Sequence, residues 1–278
     1  MNRTIMRKAR GMKTSDGAGV ALTRIIGQPG LTRLDPFLLL DEFGSDVPGD
    51  YLAGFPPHPH RGFQTVTYML KGKMGHKDSV GNEGLIEDGG LQWMNAGSGI
   101  IHEEMPKQTE GEMRGFQLWV NLPASEKMSA PGYQDIPSAQ VPELSKGDGI
   151  RIRVLAGELD GVSGAVTTQA VKPLFLDVHS ADCEPITLPT DSGHSAFVYC
   201  YEGQVSIGAT TLKRGEIGVL GEGNQVEILL QEHARLILVA GEPINEPVEQ
   251  YGPFVMNTRA EIEQALKDYQ QGKLVQRQ

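Results

Sequence analysis

The sequence predicts an all-β fold made of two similar halves, with one helix near the C-terminus. Three observations support this prediction: the residue composition, a succession of short strand-like runs, and an internal repeat. The chain has 278 residues, of which 35 are glycine and 17 are proline, while only 6% are aromatic. Such a balance is typical of many short elements joined by tight turns. At about 150 residues per domain, this length predicts one or two domains.

Short runs of β-branched and aromatic residues predict the individual strands. Each run lies near glycine, proline, asparagine or aspartate, which commonly end strands. No long helical segments alternate with these runs, so a parallel α/β sheet is not expected. The predicted strands are residues 20–26, 34–43, 66–70, 115–122, 150–155, 174–178, 197–201, 225–230 and 235–240.

One helix is predicted over residues 258–271. Thr258 and Glu261 have the spacing of a capping box, in which two side chains satisfy free amides at a helix start. Apolar residues then follow with helical period, and they are Ile262, Ala265, Leu266 and Tyr269. We expect this terminal helix to lie on the β-sandwich.

The two halves resemble each other in sequence. Residues 66–72 (VTYMLKG) parallel residues 197–203 (FVYCYEG), and residues 90–93 (GLQW) parallel residues 216–219 (EIGV). The offsets are 131 and 126 residues, so the intervening turns differ in length. A repeat of this kind predicts a duplicated β-barrel unit.

The stretch 123–142 is rich in proline, serine, alanine and glycine. It shows no sustained periodicity, and its latter part is interpreted as a linker. We therefore predict an N-terminal barrel at residues 1–140 and a C-terminal barrel, with the terminal helix, at residues 141–278.

The charge balance and the absence of long apolar runs disfavour two classes of partner. The chain carries 25 basic and 35 acidic side chains, for a formal net charge of −10. A DNA-binding protein needs a basic surface, so no direct nucleic-acid binding is expected. No apolar run approaches the ~20 residues of a membrane-spanning helix, so no membrane partner is expected. Residues 1–13 hold five basic residues and no acid, which fits a solvated terminus or a partner-binding arm.

Cys183 and Cys200 belong to no metal or redox motif. Free thiols in a reducing cytosol are the simplest interpretation. Residues 1–13 also lack the apolar core of a secretory signal. We therefore expect a cytoplasmic protein.

Two histidine-containing motifs predict a metal site. His58 and His60 form an H-x-H pair, and in an extended segment residues i and i+2 point to the same face. His102 and Glu104 have the same spacing, so Glu104 shares the face of His102 and Glu103 points away. Three imidazoles and one carboxylate suit a divalent first-row metal with open positions.

The histidines also allow interpretations other than metal ligation. A single histidine is most often a surface or hydrogen-bonded residue, and only the combination of both motifs favours ligation. His76, in the segment 75–81, is expected in a turn, where it forms a local hydrogen bond or lines the pocket. The repeat maps the four candidate ligands onto residues that no longer form a ligand set, so the second half is expected to hold no metal. These residues are Pro189, Asp191, Ile228 and Leu230.

Several longer segments resemble the pirin family of the cupin superfamily. The matching segments are residues 34–43, 58–63, 96–102, 104–106, 115–122 and 251–257. The resemblance implies a bicupin fold, with two jelly-roll-like β-sandwich barrels and one mononuclear metal in the N-terminal barrel. Gln64 stands where pirins often have glutamate.

The resemblance also implies the ligands and the metal. By motif the ligands are His58, His60, His102 and Glu104, the same four that the face argument selects. Iron is the metal usually associated with the family, so one Fe(II) per chain is expected.

The resemblance implies two functions of different classes. The first is a metal-dependent dioxygenase of the quercetin 2,3-dioxygenase type, which cleaves quercetin-like flavonols with O2. The metal would lower the pKa of the flavonol 3-hydroxyl, and Glu104 would take that proton as general base. The alternative is an iron- and redox-dependent regulatory protein that binds transcription factors or metabolic enzymes. For that alternative, the acidic composition favours protein partners over DNA.

Overall fold

The structure is a computed structural model that describes residues 1–168 and 170–275. Its elements are almost all strands, which confirms the predicted all-β class. The strands of the first half of the chain are β1 (Ile5–Arg10), β2 (Met12–Asp16), β3 (Val20–Ile26), β4 (Phe37–Ser45), β5 (Phe55–His60), β6 (Phe63–Lys71), β7 (Met74–Asp78), β8 (Glu83–Ile86), β9 (Leu91–Asn95), β10 (Ile100–Pro106), β11 (Met113–Asn121) and β12 (Gly132–Ile136).

The second half continues with strands of similar length and ends in the predicted helix. They are β13 (Glu143–Lys146), β14 (Ile150–Ala156), β15 (Glu158–Leu159), β16 (Val162–Ser163), β17 (Leu174–Ser180), β18 (Glu184–Pro189), β19 (Ser195–Glu202), β20 (Gln204–Ile207), β21 (Thr210–Lys213), β22 (Glu216–Leu220), β23 (Gln225–Leu230), β24 (Arg235–Gly241), β25 (Glu249–Tyr251), β26 (Phe254–Met256) and helix α1 (Arg259–Gln270). Single 3-10 turns lie at Pro48–Asp50 and Ser138–Gln140.

The chain forms two compact units, each assembled from separate stretches. Unit one contains Lys13–Gly27, Phe37–Ser138 and the described residues from Ile244 onward. Unit two contains Met1–Met12, Gln28–Pro36 and Ala139–Pro243. These bounds differ from the predicted division at residue 140, because both ends of the chain, and also Gln28–Pro36, belong to the unit of the other half.

Hydrogen bonds explain why each end of the chain belongs to the unit of the other half. Strand β1 pairs antiparallel with β22 and so extends a sheet of unit two. At the other end of the chain, Arg61 donates to Asp268 of α1 at 2.8 Å, which ties the helix to unit one. The helix itself begins with the predicted capping box between Thr258 and Glu261. The segment interpreted as a linker also contains a strand, since β12 pairs with β9.

Both units have the same sheet topology. The seven-stranded sheet of unit one has the order β12-β9-β6-β11-β4-β3-β2, and its four-stranded sheet has the order β5-β10-β7-β8. Unit two repeats this plan with β1-β22-β19-β24-β17-β14-β13 and β18-β23-β20-β21. The repeat is thereby confirmed, because its segments in β6 and β19 occupy the same position in their sheets.

The interiors of the two units differ. In unit two, aliphatic side chains from both sheets fill the space between them, among them Val198, Leu238 and Ile228. Unit one has an apolar cluster around Phe43, Met74 and Ile86. It also buries polar and histidine side chains, among them His60, His102, Glu104 and Thr67. Among the described residues, no helix is long and apolar enough to cross a membrane.

Candidate metal centre

Two adjacent strands of the four-stranded sheet bring the predicted histidines together. Strand β5 carries His58 and His60, and β10 carries His102. The antiparallel register places His102 directly opposite His58, while Ile100 lies opposite His60. The i, i+2 spacing turns both β5 imidazoles to the face that His102 occupies. Pairing of these strands therefore converts two distant motifs into one cluster.

The three imidazoles lie within reach of a single ion. One ligand nitrogen from each of His58, His60 and His102 lies within 4.8 Å of the other two. The ring centroids are 4.5–4.9 Å apart. In the part of the chain that the structure describes, no other group of three histidine, cysteine or acidic residues has this proximity.

The hydrogen-bonding state of the rings fits metal ligation. His60 Nδ1 and both ring nitrogens of His102 are buried and have no hydrogen-bond partner. Unpaired buried nitrogens are costly unless something binds them. The Nδ1 of His58 contacts the Pro56 carbonyl oxygen at 2.8 Å, which leaves its Nε2 for a ligand. The donor set of three imidazoles therefore suits a first-row metal.

Burial keeps the two inner rings neutral. Loss of solvation, reinforced by the neighbouring histidines, lowers the pKa of His60 well below its usual value. Burial likewise lowers the pKa of His102, with smaller contributions from His58 and His76. A neutral imidazole has a free lone pair, so no proton needs to leave these rings when a metal binds.

Glu104 is buried beside this cluster but is held by neutral partners. Its Oε1 accepts a hydrogen bond from the Thr67 hydroxyl at 2.8 Å, and its Oε2 accepts one from Gln117 Nε2 at 2.9 Å. Only 1% of Glu104 is exposed. It does not belong to the group of three converging ligand atoms, so its role as fourth ligand stays a prediction.

The two adjacent glutamates differ as the alternation argument predicts. Strand β10 is extended, and Glu104 is buried whereas Glu103 is partly exposed. Because successive side chains of a strand point to opposite faces, only Glu104 reaches the interior.

The expectation that His76 lies in a turn is wrong. His76 belongs to strand β7, opposite Glu104 of β10, and is only 4% exposed. Its ring stacks on Tyr133 with centroids 5.0 Å apart, and its Nδ1 contacts Gln92 Nε2. The turn begins only after Asp78, where β7 ends. The glycines at both ends of the segment 75–81 therefore suggested a turn too early in the sequence.

A cavity of about 630 Å³ opens beside the histidines, within unit one. His58, His60, Glu104 and Gln117 line one part of it. Its other lining residues include four large apolar side chains and a cluster of three charged ones, and they are Leu22, Leu39, Phe43, Trp119, Arg24, Asp41 and Asp16. Gln64, by contrast, accepts a hydrogen bond from Trp93 Nε1 at 3.1 Å and does not line this cavity.

Sequence reasoning missed Thr67, Gln117 and Asp41. On its face of β4, Asp41 lies between Leu39 and Phe43, and on its face of β11, Gln117 lies between Gly115 and Trp119. Thr67 lies between Thr65 and Met69 on its face of β6. A polar residue at such a position is the signal that could have identified them, because buried polar groups require partners.

The positions that the repeat maps onto the candidate ligands cannot form an equivalent cluster. Pro189 ends β18, while Ile228 and Leu230 are fully buried in β23. Asp191 is exposed. His179 of unit two contacts Asp177 and Tyr201 instead, at 3.0 Å and 2.9 Å.

Comparison with known proteins identifies the family. The Pirin family matches residues 19–120, and the Pirin C-terminal cupin domain matches residues 175–275. A Pseudomonas aeruginosa protein provisionally named quercetin 2,3-dioxygenase is 47% identical over 98% of both chains. Human pirin is 44% identical over 93% of this chain and 89% of its own. A crystal structure of quercetin 2,3-dioxygenase from Acinetobacter baumannii has a TM-score of 0.92 at 34% identity, over 99% of both chains.

These matches span almost the whole chain. The protein therefore belongs to the pirin family, and its two units are cupin domains.

Proposed function

We propose that this pirin-family protein is a metal-dependent dioxygenase that cleaves quercetin-like flavonols with O2. The observation that carries the proposal is the cluster of His58, His60 and His102, two of which also line a largely apolar cavity. The names of the Pseudomonas and Acinetobacter relatives support the same reaction.

The three histidines would hold the metal, and we propose Glu104 as its fourth ligand. A bound divalent metal, which we propose to be Fe(II), would supply Lewis-acid activation of a phenolic hydroxyl and electrons for reaction with dioxygen. The neutral state of His60 and His102 supports their proposed role as ligands, because both rings can bind a metal without losing a proton.

We propose Glu104 as the general base that takes the proton of the substrate hydroxyl. Each of its oxygens accepts one hydrogen bond, from Thr67 or from Gln117. A carboxylate has about four lone-pair positions, so acceptor capacity remains toward the cavity. Thr67 and Gln117 would fix its orientation, because both contact the carboxylate directly.

The walls of the cavity would hold an aromatic substrate and exclude water. Trp119 packs against His60 with ring centroids 5.5 Å apart, and Leu39 and Phe43 line the same cavity. Flat apolar surfaces of this kind favour aromatic rings, whose stacking adds to the area buried.

Turnover of a flavonol tests the proposal. Protein loaded with Fe(II) should consume O2 and release carbon monoxide when quercetin is added under air. His102→Ala protein, prepared in the same way, should be inactive. If the loaded protein binds quercetin but consumes no O2, the dioxygenase proposal is wrong. The iron- and redox-dependent regulatory function would then be the better proposal.

A further inference from the structure

A row of polar side chains crosses the seven-stranded sheet of unit one beside the metal centre. The strand registers place Arg24 opposite Asp41, Asp41 opposite Gln117, and Gln117 opposite Thr67. Directly opposed residues of an antiparallel pair point to the same face. All four side chains therefore stand on one face, and we call these four residues the polar row.

The two ends of the polar row have different partners. At one end, Thr67 and Gln117 bind Glu104. At the other end, Arg24 donates to both oxygens of Asp41, at 3.0 Å from Nε and 2.8 Å from Nη2. Its Nη2 also donates to Asp16 at 2.8 Å.

Strand spacing gives the distance between these ends. Neighbouring strands lie about 4.8 Å apart, so Asp41 is about 5 Å from Gln117 and Arg24 is about 10 Å from it. This separation is comparable to the length of one or two aromatic rings. A ligand that reaches Glu104 with one ring can therefore place a substituent of another ring near Asp41.

Apolar side chains flank the polar row on both sides. On one side of the row, two residues along the strands from Asp41 and Gln117, Leu39 lies opposite Trp119. On the other side, two residues along from Asp41 and Arg24, Phe43 lies opposite Leu22. All four line the same cavity. Polar contacts are thus available along the row, while the faces of a flat ligand meet apolar walls.

The charge at the Asp41 end favours hydrogen-bond donors. One guanidinium faces two carboxylates there, those of Asp16 and Asp41, for a local net charge of −1. Arg24 already directs Nε and Nη2 at these carboxylates, whereas the carboxylates retain unused lone pairs. A hydroxyl group can donate to such a carboxylate, but an anionic group would meet repulsion.

We propose that Asp41, held by Arg24, is a specificity-determining residue that accepts a hydrogen bond from a hydroxyl on the distal ring of the substrate. The site would then select neutral polyhydroxylated aromatics over aromatics with a carboxylate at the same position. This proposal rests on the proposed function, because it takes the histidine end of the cavity as the reacting end.

Ligand binding without turnover tests the proposal. The probes are 3-hydroxyflavone and its derivatives with one hydroxyl or one carboxylate on the distal phenyl ring. Binding to Fe(II)-loaded protein in the absence of O2 is followed by quenching of tryptophan fluorescence, since Trp119 lines the cavity. The hydroxyl derivative should bind about 10-fold more tightly than the parent compound, which is typical of a hydrogen bond to a charged acceptor. The carboxylate derivative should bind no more tightly than the parent.

Two variants of the Asp41 end should reduce the preference for the hydroxyl derivative to about threefold or less. One is Asp41→Asn. The other is the double variant Arg24→Met with Asp41→Leu, which removes both charges together and leaves neither one buried without a partner. If Asp41→Asn protein does not fold, the double variant decides.

Glu42→Gln is the matched control. Glu42 is the next residue on β4, points to the opposite face, and pairs with Arg114 at 2.9 Å. This variant should keep the full preference. An equal preference in wild-type and double-variant protein would overturn the inference, and so would tighter binding of the carboxylate derivative. Selective binding without O2 consumption would contradict only the dioxygenase proposal, whereas turnover without selectivity would contradict only this inference.

Discussion

Acidification of the metal-free protein should lower the free energy of unfolding of unit one. The size of this effect should depend on the number of buried neutral histidines. Burial lowers the pKa of His60 and of His102 well below the usual value near 6.5. Below about pH 6.5, the unfolded chain therefore binds protons at these rings that the folded chain does not bind. The contribution of each ring to stability is present above pH 6.5, and it is lost as the pH falls toward the folded-state pKa.

The magnitude follows from the number of protons. Each proton bound only by the unfolded chain changes the free energy of unfolding by about 1.36 kcal/mol per pH unit. Two such rings should therefore give a slope of about 2.7 kcal/mol per pH unit below pH 6.5. Carboxylates add to the total slope, so the difference between variants isolates the histidines.

Denaturant unfolding of chelator-treated protein at several pH values provides the measurement. The only two tryptophans, Trp93 and Trp119, both belong to unit one, so their fluorescence reports on the unit that carries the site. His60→Asn and His102→Asn should each remove about 1.4 kcal/mol per pH unit from the slope. His233→Asn, whose wild-type side chain is 80% exposed, should leave the slope unchanged. Equal slopes in wild-type and His60→Asn protein would refute the reasoning.

Three further predictions concern single side chains. His102→Ala should abolish metal binding while the fold persists, which elemental analysis and circular dichroism together would check. Glu104→Gln that still holds iron should lose about 10²–10⁴-fold in flavonol turnover, whereas Glu103→Gln should be nearly neutral; equal effects on kcat/KM would contradict this. The buried Lys127 donates to Gly62 O, Asn121 Oδ1 and Val255 O. Lys127→Met should therefore lower the free energy of unfolding by about 2 kcal/mol or more, measured in denaturant.

The histidine cluster could be predicted because its geometry is mostly local. In β5 and β10 the alternation of side chains fixes which residues share a face, and this needs no knowledge of the rest of the fold. The polar row has no such local signal. Asp41, Gln117 and Thr67 become neighbours only through the registers of β4, β11 and β6, and register is a property of the assembled sheet.

The exchange of chain ends between the units could not be predicted for a related reason. Strand β1 pairs with β22, more than 200 residues away in the sequence. Nothing in residues 1–13 distinguishes an edge strand from a solvated terminus, because the side chains of β1 are mostly exposed and none of them is buried. The repeat predicted a division into sequential halves. A strand can pair with any sheet edge that has free backbone groups, however, whatever its distance in the sequence.

The comparison of the two units leads to a final prediction, that each chain binds one transition metal and not two. Strands β18 and β23 occupy the same places in unit two as β5 and β10 in unit one. Ile228 and Leu230 of β23 are fully buried in an aliphatic core. The place that corresponds to the metal centre therefore lacks ligands and is filled by apolar side chains. Protein saturated with Fe(II) should retain one equivalent after gel filtration. The variant with both His58→Ala and His60→Ala should retain none, and a second tightly bound equivalent would contradict the argument.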